Sequence, residues 1–448
     1  MSFVNEGSAG RPEANRPAPE TFSSAPDSGA KAVPKPRAKG SGGGRGRQPE
    51  PVDGAGDVRL SAEQRDFVDA ILAGVDDDRE VQTGGGYAGT GKTTCIRELC
   101  RRLPGFAVVA PTGRAAAVLG RKGIPATTIH SRMYRAIPAC HGRCARDRVE
   151  CRCPIIGWEK KDSLECDGIL CDESSMVNRQ VHADLLSYGL QYIFVGDHGQ
   201  LPPVPSEEER RSGLPAFNLM ESPDYRLEHI HRNAGEIARF AEYLRNDGAA
   251  ARFRPHGNDV ILTDVDDRDD LPILDVSHII CARNRTRIEL NRHVRRRLGR
   301  NALVEPGEVV MCLRNDHKST TLCNGTLATV LAAYPGRHAF DLDSEEGVFR
   351  GVRYDPARFG VAPAKDGLRN GGPLPFDYGY ASTCHKSQGG EWPVVLVLEE
   401  RCGYLWEHRR WAYTAASRAQ SMVVWRCDRP IRRPASVSMP RAAGGGDA

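Results

Sequence analysis

Apolar positions in this chain come in short runs, and the residues that end each run carry as much information as the runs themselves. Ile169-Leu170-Cys171 is continuous rather than alternating, the pattern of a strand buried on both faces of a parallel sheet, and it stops at two carboxylates, Asp172 and Glu173. Tyr192-Ile193-Phe194-Val195 is a second such strand, running into Gly196-Asp197-His198-Gly199-Gln200-Leu201-Pro202-Pro203-Val204, a proline-stiffened turn. Cys95, Ile96, Leu99 and Cys100 recur instead at helical spacing. Further on, His278-Ile279-Ile280-Cys281 predicts another buried strand, and a basic run from Arg283 to Arg300 predicts a helix. Between about 304 and 375 the pattern turns β-rich. There Pro306-Gly307-Glu308-Val309-Val310-Met311-Cys312 reads as turn and strand, and Asn324-Gly325-Thr326 is a hairpin signal before Leu327-Ala328-Thr329-Val330. One segment is weaker than its position demands: Val81-Gln82-Thr83-Gly84-Gly85 stands where a strand is needed, yet is thin in large side chains.

That weak strand leads into Gly86-Tyr87-Ala88-Gly89-Thr90-Gly91-Lys92-Thr93-Thr94, which fits the phosphate-loop form G-x-x-x-x-G-K-[ST]. Glycines let the backbone wrap closely enough for its N–H groups to point at a triphosphate. Gly86, Ala88, Gly89, Thr90, Gly91 and Thr94 would form the cradle, Lys92 would reach the β and γ phosphates, and the Thr93 hydroxyl would help hold Mg²⁺. The helical spacing after Thr93 puts the loop at a helix N-terminus, where a positive dipole end favours an anion. Parallel strands deliver chemical groups at their C-terminal edge. Asp172 would therefore anchor Mg²⁺ through water, Glu173 would polarise the attacking water, and the Gln200 amide would read the γ-phosphate.

Composition narrows the setting. The 448 residues leave room for two or three domains, and a net charge of +4 excludes coating nucleic acid by bulk charge. Residues 1–58 are rich in Pro, Gly, Ala and Ser, and the tail 429–448 is similar, so both read as disordered. No stretch approaches the roughly 20 apolar residues of a membrane span, so no membrane partner and a cytoplasmic, DNA-associated setting are the expectation. In a reducing compartment the 14 cysteines do not form a disulfide scaffold. The arginines of 283–300 admit two readings, a solvated helix face or phosphate contact.

The motifs follow one another in a telling order. The phosphate loop precedes Ala110-Pro111-Thr112-Gly113-Arg114-Ala115-Ala116, then Thr128-Ile129-His130-Ser131, then Asp172-Glu173-Ser174-Ser175-Met176, then Gly196-Asp197-His198-Gly199-Gln200-Leu201-Pro202-Pro203. Ala381-Ser382-Thr383-Cys384-His385-Lys386-Ser387-Gln388-Gly389 and Tyr413-Thr414-Ala415-Ala416-Ser417-Arg418-Ala419 complete the series, and Leu60-Ser61-Ala62-Glu63-Gln64 opens it. Over about residues 59–428 this resembles the superfamily 1 DNA helicases of the RecD/Dda type. The resemblance implies an α/β chain with two RecA-like domains and ATP hydrolysed between them. The first would span about 59–224, with a wedge insert at about 135–165. The second would span 225–303 and 376–428, interrupted at 304–375 by a small SH3-like barrel. It also implies that Gln64 recognises adenine, that Glu391 binds ribose, and that Arg418 and Arg232 act across the cleft as catalytic cations. Thr112, His130, Thr383 and His385 would line single-stranded DNA.

The implied activity is an ATP-dependent helicase moving 5′ to 3′ on single-stranded DNA and opening forks, as a monomer with a replication or recombination protein as partner. A translocase without unwinding activity and a non-catalytic DNA-binding scaffold are the rival readings. Cys140, Cys144, Cys151 and Cys153 fall in the wedge insert, either as ligands of a structural Zn²⁺ or as free thiols under a loop. Lys31 to Arg47 is a basic run without an acid. If it tethers DNA, deleting residues 1–58 lowers DNA affinity more at low salt than at high salt in a fluorescence-anisotropy titration; equal affinity at both leaves it a solvated leader.

Overall fold

The computed structural model describes residues 59–138, 140, 155–213, 216–229, 235–248, 256–264, 271–314, 322–361, 373–401 and 405–427. Its first layer is a six-stranded sheet. Strands β1 (Val81–Gly86), β2 (Phe106–Ala110) and β3 (Ala126–Thr128) come first, then a separate antiparallel pair, β4 (Tyr134–Pro138) with β5 (Ile155–Lys160), then β6 (Gly168–Cys171), β7 (Gln191–Gly196) and β8 (Tyr225–Leu227). The sheet order is β3-β2-β6-β7-β1-β8 and every pairing is parallel. Parallel neighbours require crossovers, which are supplied here by helices that cover both faces.

The weak strand lies inside this sheet, between β7 and β8. Its lack of side chains has a packing reason. Helix α1 (Ala62–Asp76) presses Phe67 onto it so closely that a Cβ on Gly84 would meet the ring at 2.4 Å. On Gly85 a Cβ would meet Pro223 at 2.5 Å and His198 at 2.8 Å. Small residues are what this position admits. Helix α2 (Lys92–Arg102) follows the phosphate loop and buries Cys95, Ile96 and Leu99, the face its periodicity predicts.

A second sheet is also all parallel. Strands β9 (Val260–Thr263) and β10 (His278–Cys281) are followed, after an excursion, by three more strands that complete a five-stranded sheet. The excursion is antiparallel and comprises β11 (Val309–Cys312), β12 (Leu327–Tyr334), β13 (Ala339–Ser344), β14 (Gly347–Arg353) and β15 (Phe376–Tyr378), in order β14-β13-β12-β11-β15. Strands β16 (Ala381–Thr383), β17 (Trp392–Leu398) and β18 (Ala419–Arg426) then give the order β16-β10-β17-β18-β9. The Asn324-Gly325 turn is not a two-residue hairpin. It opens β12, whose partner β11 ended twelve residues earlier at Cys312, and residues 315–321 between them lie outside the described set.

The basic helix, Asn284–Arg297, keeps several arginines exposed and puts others to a third use. Arg287 is buried in an ion pair with Asp377 of β15, Arg295 donates to Glu308 at 2.6 Å, and Arg292 donates to the Gly360 carbonyl at 2.9 Å. These arginines fasten the antiparallel sheet to the parallel one. On the solvent face Arg285 pairs with Glu289 four residues on. Among the described residues no helix is long and apolar enough to cross a membrane.

Removing one member of a buried ion pair strands the other charge away from water. Asp377→Ala is therefore expected to cost about 3–5 kcal/mol of stability, measured by chemical denaturation, and to cost more than Arg285→Ala by at least 2 kcal/mol, roughly the gap between buried and exposed pairs.

Candidate functional site

The C-terminal ends of β1, β6 and β7 converge, and the sequence motifs converge with them. After β1 the chain turns through Gly89 at φ 86° and Gly91 at φ 88°, left-handed values that glycine adopts without strain. Thr90 is fully buried and its hydroxyl donates to the Tyr87 carbonyl at 2.9 Å, which holds the loop's curvature from inside. Thr94 N–H donates to the Gly91 carbonyl and starts α2. Lys92 lies along the loop: its ammonium donates to the carbonyls of Gly86 at 2.7 Å and Tyr87 at 3.0 Å and stands 3.9 Å from Asp197. Thr93 is half-buried at the first turn, with the Lys122 ammonium 3.5 Å from its hydroxyl.

Gln64 has two jobs here. Its side-chain oxygen accepts from Ser61 N–H in a capping box, while its amide donates to the Thr90 carbonyl at 3.0 Å. In this state it braces the phosphate loop.

Asp172 and Glu173 sit at the end of β6 under visible stress. Burial, and then the neighbouring Glu173 charge, push the Asp172 carboxyl up to about 7, against one helping hydrogen bond from Glu173 N–H. Glu173 holds a left-handed backbone at φ 52°, unusual for a residue with a Cβ, and one of its carboxylate oxygens is buried without a partner. Gln200 is buried; its amide donates to Asp197 at 3.2 Å and its oxygen has no partner. Both ring nitrogens of His198 are likewise unpartnered. Buried orphan polar atoms gathered at one sheet edge are a mark of a polar ligand's seat. Thr93 and Asp172 are hard oxygen donors beside the loop, and a divalent cation there would offset the repulsion that raises Asp172, so the residues fit Mg²⁺.

The second sheet reaches over this edge. Tyr413, on the helix Leu405–Ala416, accepts from Ala88 N–H at 2.9 Å and donates to Asp197 at 2.9 Å. Thr414 accepts from Leu201 N–H at 3.0 Å, and the Gln388 amide donates to the Leu201 carbonyl at 3.1 Å. The Arg245 guanidinium lies 3.8 Å over the Tyr87 ring, its Nε buried without a partner. Lower down, Arg114 stacks over Trp392 at 5.0 Å, and Trp392 stacks in parallel on His278 at 4.0 Å. Burial, with the nearby Arg114 charge, drives the His278 imidazole down to about 3. Trp392 is thus sandwiched between Arg114 of the first sheet's side and His278 of the second.

Other expected residues land differently. Arg418 is buried, but its guanidinium donates to the carbonyls of Thr414 and Gly390 and to the Ser417 hydroxyl, and among the described residues it makes no contact with the phosphate loop. Arg232, Cys144, Cys151 and Cys153 lie outside the described residues. Cys140 is half-buried, and among the described residues no group of three or more His, Cys, Asp or Glu side chains could hold a metal ion. Three of the four cysteines expected to hold zinc thus fall outside what the structure describes. Glu391 is exposed and accepts from Gln420 at 3.2 Å. Thr112 caps the helix Gly113–Arg121, and Thr383 is buried at the start of Cys384–Ser387. Half-buried His385 has its imidazole pushed down by burial. His130 is exposed, 4.6 Å from the rings of both Tyr134 and Trp158, and borders a 210 Å³ recess with Pro111, Met176 and Val177. Asp197, Tyr413 and Arg245 were not among the residues singled out from sequence. The first two sit inside recognisable motifs, but nothing in the spacing shows that they bond to each other.

The chain resembles known proteins in sequence and in fold. Residues 59–262 match a family model described as an AAA domain, and residues 378–424 one described as a UvrD-like helicase C-terminal domain. The ATP-dependent RecD2 DNA helicase of Deinococcus radiodurans is 28% identical over 420 residues, covering 83% of this chain and 51% of that protein. The ATP-dependent DNA helicase dda of Enterobacteria phage T4 is 27% identical over 199 residues, 42% of this chain and 43% of its own length. The chain thus spans about half the length of these curated relatives. The solved structure of the Pif1 helicase from Bacteroides, in complex with ADP-AlF3 and single-stranded DNA, shares the fold with TM-score 0.53 at 20% identity, over 84% of this chain and 94% of that one.

The raised Asp172 carboxyl carries a stability prediction. A folded value near 7 against an unfolded value near 3.8 means the charged form opposes folding, increasingly as pH rises from 4 to 7 and fully above 7. Asp172→Asn is expected to raise the melting temperature of the nucleotide-free protein at pH 8 by about 2 °C or more, with the gain vanishing near pH 4. A lower melting temperature at pH 8 would contradict the buried-charge account.

Proposed function

We infer function from family: the chain belongs to the superfamily 1 helicases of the RecD/Pif1/Dda type. It hydrolyses ATP in the cleft between its two parallel sheets and uses the cycle to move along single-stranded DNA, 5′ to 3′, opening duplex at forks. The observation that carries this reading is the clasp across the cleft. Ala88 N–H in the phosphate loop is bonded to a tyrosine from the other sheet, so a shift of that sheet bears directly on the loop.

Lys92 would leave its own loop carbonyls for the β and γ phosphates. Thr93 and Asp172 would hold Mg²⁺, which supplies charge neutralisation when bound, while Glu173 orients the attacking water and Gln200 senses the γ-phosphate. Arg418 and Arg232 remain the family's trans-acting cations, and Arg418 would have to release Thr414 and Gly390 to serve. Gln64 and Glu391 would flank adenine and ribose. Thr112, His130, Thr383 and His385 would meet DNA along the tops of both sheets, where backbone contact and base stacking give sequence-tolerant binding. The antiparallel sheet 309–378 would be the SH3-like DNA cradle, and the hairpin of β4 and β5 the root of the wedge. A monomer, with a replication or recombination protein as partner, completes the reading. Opening costs roughly 0.6–2.2 kcal/mol per base-pair step, within reach of one nucleotide hydrolysed per step.

Lys92→Ala is expected to abolish DNA-stimulated ATPase activity while leaving the melting curve unchanged. Strand displacement is expected on a fork with a 5′ single-stranded tail and not on one with a 3′ tail. ATP turnover without displacement of either would favour a translocase, and no turnover at all a scaffold.

A further inference from the structure

We propose that Tyr413 is the positioning residue that couples the phosphate loop to movement of the second sheet, an inference that rests on the ATPase reading above. Its hydroxyl is placed for the role as few groups are. It accepts from Ala88 N–H and donates to Asp197, both at 2.9 Å, and the residue is 4% exposed. One oxygen thus joins the phosphate loop, the end of β7 and a helix of the second sheet.

The coupling comes from competition for Asp197. This carboxylate is fully buried. One oxygen accepts from Gly199 N–H at 2.9 Å; the other is shared by the Gln200 amide at 3.2 Å, the Lys92 ammonium at 3.9 Å and the Tyr413 hydroxyl. Lys92 and Gln200 are the two side chains that a triphosphate would draw away. Once they turn to phosphate, that oxygen keeps Tyr413 as its remaining donor, and a buried carboxylate short of donors holds the last one harder. Nucleotide therefore tightens the bond between the first sheet's edge and the helix Leu405–Ala416.

That helix is well placed to pass the change on. Thr414, next in sequence, accepts from Leu201 N–H, and Trp411 and Ala415 are buried in the second sheet's core. Arg418, one turn beyond, is anchored on the carbonyl of Thr414. The same pull that holds Tyr413 would reposition the arginine. A second contact steadies the loop residue beside Ala88: the Tyr87 ring lies 6.1 Å from the Tyr413 ring and 3.8 Å beneath the Arg245 guanidinium. Burial and the adjacent Asp197 charge raise the Tyr413 phenol well above its ordinary value, so the hydroxyl stays protonated and remains a donor at any working pH.

The test is Tyr413→Phe in the full chain, which keeps the ring and removes only the hydroxyl. ATP turnover is measured with and without single-stranded DNA, and folding is checked by thermal melting. The contact acts in closure rather than in nucleotide binding, so kcat with DNA is expected to fall by about tenfold to a hundredfold, the scale of one hydrogen bond to a charged partner, while KM for ATP stays within about threefold. Stimulation by DNA should fall with it. A kcat within twofold of wild type overturns the proposal, as does a loss confined to KM. A variant that no longer folds assigns Tyr413 a purely structural role and also overturns it. Wild-type protein that turns over no ATP would sink the functional reading itself, and this inference with it.

Discussion

A carboxylate removed from water must be surrounded by donors or lose its charge, and Asp197 is removed entirely. Its donors come from three separate stretches of chain: its own turn, the phosphate loop and a helix of the second parallel sheet. The last of these makes the cleft a bonded structure rather than a gap between two lobes. Two of the donors are the very side chains a nucleotide would recruit. On the proposed reading, the buried anion would be satisfied one way with the loop at rest and another way with phosphate present.

The same edge of the first sheet gathers several local costs. Asp172 is held at a raised pKa, Glu173 sits in a left-handed backbone, and oxygens of Glu173 and Gln200 go unpaired. Each is unfavourable in the absence of a ligand, and each lies where β6 or β7 ends. Elsewhere the sheet is conventional, with α1 and α2 burying apolar faces against it. The glycines of β1 belong to that economy: they give up side-chain packing so that Phe67 on one side and Pro223 with His198 on the other can close onto the strand. The phosphate loop therefore departs from a strand clamped on both faces, and its own flexibility is confined to the turn.

Charge is where sequence was least able to speak. The run from Arg283 to Arg300 offered a solvated face or a phosphate track. In the structure three of its eight arginines, Arg287, Arg292 and Arg295, hold the antiparallel sheet to the parallel one, through Asp377, the Gly360 carbonyl and Glu308. Those partners stand between about 13 and 90 residues away in sequence, and no local pattern encodes such pairings. Arg418 tells a similar story. The family resemblance implies a cleft cation there, whereas its hydrogen bonds tie it to its own sheet.

Short-range order was therefore legible from the chain alone. The continuous apolar runs became parallel strands, the 3.6-residue spacing after Thr93 became a helix, and the glycine pattern of 86–91 became a loop with two left-handed turns, because each depends on neighbours within a few residues. The order of the motifs carried the resemblance to the RecD/Dda-type helicases. Only tertiary structure could decide which residues meet across the cleft, since Ala88 and Tyr413 are 325 positions apart and their bond exists only when two separately folded sheets are brought edge to edge. Distance along the chain, not subtlety of chemistry, set that boundary.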